Sequence, residues 1–131
     1  MMAAGRWDFF ISHRQAEAGQ HALQLVLEFG KRRCWLDKYA ADRSVRGMRA
    51  GVEGSAHFVA LLSETYFDSE YCVKEMRWAV ELGKPIVLCC THGCNVGAVL
   101  RGAPSDLKHV AEIQAIKVRL PRVQRSSAEP S

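Results

Sequence analysis

Long apolar runs are missing from this sequence. No stretch approaches the roughly 20 residues needed to cross a bilayer, and Met1 to Trp7 lacks the apolar core of a secretory leader. These absences predict a cytoplasmic protein with no membrane partner. Paired cysteines are missing too. The five present are odd in number, and three of them (Cys34, Cys89, Cys90) lie inside apolar runs, so they read as reduced thiols rather than a disulfide framework. Charge of one sign is scarce: 18 Lys and Arg against 14 Asp and Glu leave only +4. That excess suits an anionic ligand such as a dinucleotide, and equally a solvated surface. No basic stripe interleaves with aromatics, so nucleic acid is not an expected partner.

What is present is a regular alternation. With 131 residues the chain fits one domain that can bury a core unaided. Trp7–Ser12 is a strand candidate, followed by the polar segment SHRQAEAG. From about Ala16 to Phe29 the residues Ala22, Leu23, Val26, Leu27 and Phe29 recur at helical spacing, with Gly30 as a stop. Cys34–Leu36 is a second strand that ends at Asp37, and a charged loop leads to a short helix around Met48 and Val52. His57–Leu62 and Pro85–Cys90 are further strands, since proline is tolerated at a strand's first residue. Between them a periodic helix spans roughly Ser69 to Leu82, capped by Ser69 or Asp68 and stopped by Gly83. Residues 95–112 predict one or two weaker helices, Gln114–Leu120 a last strand, and Arg122 to Ser131 a disordered polar tail. The division is an extension over 1–5, a domain over 6–121 and the tail over 122–131.

Continuous apolar strands separated by helices imply a parallel sheet covered on both faces. The class is α/β: a flavodoxin-like three-layer fold with a five-stranded sheet in the order 2-1-3-4-5. Ligands in such folds sit beyond the carboxyl ends of the strands, where the order reverses between strands 1 and 3. The loops Ser12–Gly19 and Ser63–Ser69 meet there, beside the 38–46 loop. This selects Ser12, His13, Arg14, Asp37, Arg43 and the start of the 69–82 helix. On that helix Cys72, Met76, Ala79 and Val80 form the stripe expected to pack on the sheet, while Tyr71, Glu75 and Trp78 follow i, i+4, i+7. The second set places one carboxylate between two rings, where partial desolvation favours a raised pKa and a stronger pull on a developing cation. The plainer alternative is a surface glutamate paired with Arg14 or Lys74.

Other constellations carry less. Ser12 and His13 are adjacent in a strand and point to opposite faces, which argues against a Ser–His catalytic pair. Cys89, Cys90, His92 and Cys94 crowd together, but more tightly than usual zinc spacings and with no second ligand pair beyond His109. Core thiols plus loop residues are the expectation, with no metal. Ser63 at the end of the third strand excludes a phosphorelay receiver, which needs an aspartate there, and SHRQAEAG is not a flavin phosphate loop.

Four segments in order resemble the TIR family across nearly all of residues 6–120: WDFFISHRQ, WLDKYAADRSVRGM, SEYCVKEM and GKPIV. They match the family's first strand, its second strand with the BB loop, the Ser-x-Trp-Cys-x-x-Glu helix start and the start of the fourth strand. Tyr71 stands where tryptophan is common, and His13 where many members carry an aromatic. The resemblance implies one of two functions. Some members cleave NAD+ to nicotinamide plus ADP-ribose or a cyclic isomer, in immune or cell-death signalling. Others are non-catalytic adaptors that act by homotypic assembly. In the cleaving members the helix glutamate is essential, and the matching position here is Glu75. By the same resemblance NAD+ is a substrate rather than a cofactor, Ser12, His13, Arg14, Asp37, Arg43 and Tyr71 are its candidate contacts, and the chain self-associates through a BB loop over 38–47. Trp35 is either a ring contact or a core aromatic.

Overall fold

The computed structural model describes residues 7–30, 33–35, 44–90, 94–113 and 116–117. Five parallel strands are present: β1 (Trp7–His13), β2 (Cys34–Trp35), β3 (Ser55–Leu62), β4 (Ile86–Cys90) and β5 (Ile116–Lys117). Their order is β2-β1-β3-β4-β5, as the alternation predicted. The helices are α1 (Gln15–Phe29), α2 (Val45–Glu53), α3 (Glu70–Glu81) and α4 (Val96–Arg101). A 3-10 turn at Tyr66–Asp68 precedes α3, and a 3-10 helix at Ser105–Glu112 follows α4. The predicted N-terminal extension, the tail and most of the 38–47 loop lie outside the described residues.

Local chemistry explains the boundaries. Ser69 caps α3 by accepting from the Cys72 amide at 3.3 Å, and Ser44 caps α2 by accepting from Gly47 at 3.1 Å. Past the ends of α1 and α3 the chain turns at Gly30 (φ 103°) and Gly83 (φ 68°), conformations in which a Cβ is strained.

Period-two alternation divides the core between the two sheet faces. Ile11, Val59, Leu61 and Cys89 pack with Ala18, Ala22, Leu25 and Val26 of α1 on one side. Phe10, Phe58, Ala60, Leu62, Leu88 and Cys90 pack with α2, α3, α4 and the second 3-10 helix on the other. The adjacent thiols of Cys89 and Cys90 therefore serve opposite faces, each as a small core side chain. Burial pushes the Cys89 and Cys34 thiols up to about 11, which keeps them protonated at neutral pH. His92 lies outside the described residues.

Helix α3 turns Cys72, Met76 and Ala79 of the predicted stripe inward, but adds Val73 and Glu75 to it and leaves out Val80, which is exposed. A carboxylate thus sits inside the sheet-facing stripe rather than beside it. Trp78 packs against the apolar core, with the Arg49 guanidinium 5.9 Å above its ring.

Candidate active site

A cavity of about 440 Å³ opens beyond the carboxyl ends of β1 and β2, between α2 and α3. Its walls are Ile11, His13, Arg14 and Gln15 from β1 and the start of α1, Trp35 from β2, Met48 from α2, and Ser69, Tyr71, Cys72 and Glu75 from α3. The volume falls within the range of about 300–1,000 Å³ typical of small-molecule sites.

Glu75 is the buried acid of the described residues, with 7 % of its surface exposed. A buried carboxylate needs hydrogen bonds to remain, and Ser12 supplies one: its hydroxyl donates to Glu75 Oε1 at 2.7 Å. Strand alternation makes this possible, because Ser12 shares the α3-facing side of β1 with Phe10. The Ser12 oxygen also lies 2.7 Å from the Tyr66 hydroxyl. Tyr66 is wholly buried and packs edge-on against Phe67. Burial, reinforced by the nearby charge of Cys72 and Glu75 and opposed by the Ser12 hydrogen bond, holds its phenol well above the ordinary range.

The turn bearing Tyr66 is tied to the start of α1. Arg14 Nη1 donates to the Thr65 hydroxyl at 2.5 Å and to the Thr65 carbonyl at 3.3 Å, and the Thr65 amide donates to Glu17 at 3.0 Å. Arg14 thus lines the cavity and braces the loop after β3. His13 Nε2 lies 2.8 Å from Gln15 Oε1, while its buried Nδ1 has no hydrogen-bond partner among the described residues. Trp35 is 5 % exposed and stacks on Phe10 at 4.5 Å and 7°, so it is a core aromatic that also walls the cavity. Gly51 of α2 permits the fit, since a Cβ there would lie 2.7 Å from the indole.

A TIR domain family model matches residues 9–123. The chain is a TIR domain. No curated protein matches it. Among solved structures, the TIR domain is similar to the TIR domains of the activated Roq1 resistosome directly recognising the pathogen effector XopQ. That match has a TM-score of 0.67 at 15 % identity and covers 86 % of this chain and 87 % of the other. It is also similar to the TIR domain of the Toll-related receptor TRR-2 from the lower metazoan Hydra magnipapillata. Here the TM-score is 0.58 at 16 % identity, with 85 % and 83 % covered. At such identities the likeness is one of fold.

Of the residues selected from sequence, the TIR domain brings His13, Arg14, Tyr71 and Glu75 to one cavity wall. Tyr71 stands at the rim, 55 % exposed. Ser12 reaches the site from behind, buried at 1 % exposure with its hydroxyl engaged by Glu75 and Tyr66. Asp37 and Arg43 lie outside the described residues. The plainer reading of Glu75 as a surface glutamate does not fit its burial or its bond to Ser12. Sequence reasoning missed Tyr66, Met48 and Cys72 as members of the site. For Tyr66 a signal existed, because it lies in the 63–69 loop already placed at the crevice. At Cys72 burial first, and the Glu75 charge with it, push the thiol up to about 11 despite an opposing hydrogen bond to Ser69, and so keep it protonated at neutral pH.

Proposed function

We propose that this TIR domain cleaves NAD+ at the nicotinamide–ribose bond, with Glu75 as the catalytic carboxylate. The observation that carries the reading is a carboxylate 7 % exposed, in the wall of a 440 Å³ cavity, its Oε1 held by Ser12. The family resemblance supports it, because NAD-cleaving members depend on the glutamate of this helix.

One carboxylate suffices for the chemistry. Nicotinamide leaves from a cationic pyridinium, so the electron pair of the breaking bond neutralises the ring nitrogen and no general acid is needed. The ribose left behind carries oxocarbenium charge, which a fixed anion in a low-dielectric wall stabilises without reorganising. Attack by water at the ribose carbon, with loss of its proton, gives ADP-ribose; attack by a nucleophile of the same molecule gives a cyclic isomer. Arg14 at the mouth suits the pyrophosphate, since a planar guanidinium matches phosphate oxygens. The Tyr71 ring suits stacking on a base or the nicotinamide.

We further propose that activity rises on self-association, a reading favoured by the likeness to the TIR domains of an assembled resistosome. The test is nicotinamide release from NAD+ by purified protein, dilute and then clustered, with Glu75→Ala alongside. Release by wild type and none by Glu75→Ala supports the enzyme. No release by clustered wild type leaves the adaptor function, in which the chain acts through TIR–TIR contacts alone.

A further inference from the structure

We propose that Tyr66 positions the Glu75 carboxylate, acting through Ser12. The inference rests on the NAD-cleaving reading for its functional consequence, but its geometry stands apart from that reading.

The direction of the hydrogen bonds follows from counting hydrogens. A serine hydroxyl has one hydrogen and two lone pairs. The Ser12 hydrogen lies on Glu75 Oε1 at 2.7 Å, so the second 2.7 Å contact must use the hydrogen of Tyr66. The chain therefore runs one way, from the Tyr66 phenol to Ser12 to the Glu75 carboxylate. Successive donors polarise one another, and a chain that ends on an anion strengthens along its length. Burial keeps the phenol protonated, so the donor is always loaded.

The three groups come from three separate elements: a turn after β3, the end of β1, and α3. None can shift without its neighbours. The turn is itself fixed: the Tyr66 amide donates to the Ser63 carbonyl at 3.0 Å, Arg14 and Glu17 hold Thr65, and Phe67 packs on the Tyr66 ring. Tyr66 is not among the residues that line the cavity. Its work is to keep the Ser12 hydrogen on Oε1, and so to hold the carboxylate ionised and in one orientation.

Tyr66→Phe deletes one hydroxyl and little else. The experiment follows the Glu75 carboxyl by carbon-13 NMR through a pH titration of the whole chain, the signal identified by its loss in Glu75→Gln. Nicotinamide release by the clustered protein is measured in parallel. The expected results are a higher Glu75 titration midpoint in Tyr66→Phe, because the ionised form loses support, and a roughly tenfold lower kcat/KM, the size of one hydrogen bond. In a Ser12→Ala background, Tyr66→Phe should change neither quantity further. Incorporating 3-fluorotyrosine at position 66, a stronger donor of the same shape, should move the midpoint down. That sign is one a merely structural role would not give, and it serves if Tyr66→Phe folds poorly. An unmoved midpoint in both altered proteins, or additive effects of the Tyr66 and Ser12 changes, overturns the relay. Absence of nicotinamide release by wild type overturns the enzymatic reading instead, while the titration still judges the relay.

Discussion

The two faces of the sheet are built on different principles. On the α1 face a continuous cluster of buried apolar residues runs from Ile11 and Leu61 to Ala22 and Val26. On the α2–α3 face the same kind of core is interrupted by Ser12 and Glu75. Ser55, at the start of β3, satisfies its hydroxyl locally by donating to the Gly51 carbonyl at 2.7 Å. Ser12 and Glu75 do not: with Tyr66 they form a buried polar chain that reaches the cavity wall. A buried carboxylate costs free energy that an apolar residue would not. One face is thus built from apolar packing, and the other gives up stability where it buries a carboxylate.

The largest effect that would break this contrast is expected at Glu75. Glu75→Gln keeps the shape and removes the charge, and should lower nicotinamide release by roughly a thousandfold, the scale of losing a preorganised electrostatic group. Its thermal midpoint should stay level or rise. A variant with wild-type turnover would end the catalytic assignment.

Next comes the apolar face. Leu25 of α1, 2 % exposed, belongs to the cluster between that helix and the sheet, and Leu25→Ala should cost about 2–5 kcal/mol in denaturant unfolding. Turnover per folded molecule should hold. If it falls in step with stability, the two faces are coupled and the division is wrong.

Ser12→Ala tests the junction with a smaller effect on both axes. It leaves the Tyr66 phenol buried without its acceptor, which should cost about 1–3 kcal/mol of stability. Turnover should fall roughly ten- to a hundredfold, as the carboxylate loses the donor that orients it. Activity loss without stability loss would mean that Tyr66 finds another acceptor.

The smallest effect belongs to a surface pair for contrast. Arg77 Nε and Nη2 donate to Asp106 at 2.8 and 3.0 Å, in the open. The Arg77 hydrogen bond, followed by its charge, holds the Asp106 carboxyl below the ordinary carboxylate range. A carboxylate lowered on folding stabilises above its unfolded value, so the contribution is complete above about pH 4 and disappears as pH falls below it. Arg77→Ala should therefore flatten the acid side of the stability–pH curve slightly, and high salt should mask the difference. A large change at neutral pH would show that the pair does more than neutralise a surface.

Much of the fold was legible because its signals are local. Apolar runs such as His57–Leu62 and Ile86–Cys90 announce strands buried on both faces. Ser69, Gly30 and Gly83 mark helix ends through hydrogen-bonding capacity or freedom from a Cβ. The site was legible only in part. Period 3.6 grouped Glu75 with Tyr71 and Trp78, yet the helix turns it inward with Cys72 and Met76, leaving Tyr71 at the rim and Val80 exposed. A helical repeat constrains which residues share a face, but a stripe a few residues wide leaves the helix's rotation about its axis open.

By itself, the sequence determined an α/β order of elements, their parallel sheet, the TIR family and one glutamate on the helix after β3. Tertiary structure decided what that glutamate is: a buried carboxylate in a cavity wall, held by a serine 63 positions away that lies in turn against a tyrosine 54 positions from it. Local pattern cannot report such partners. They meet because strand alternation turns Ser12 toward α3 and the turn after β3 brings Tyr66 beneath it, and burial then requires that their hydrogen bonds be made to one another.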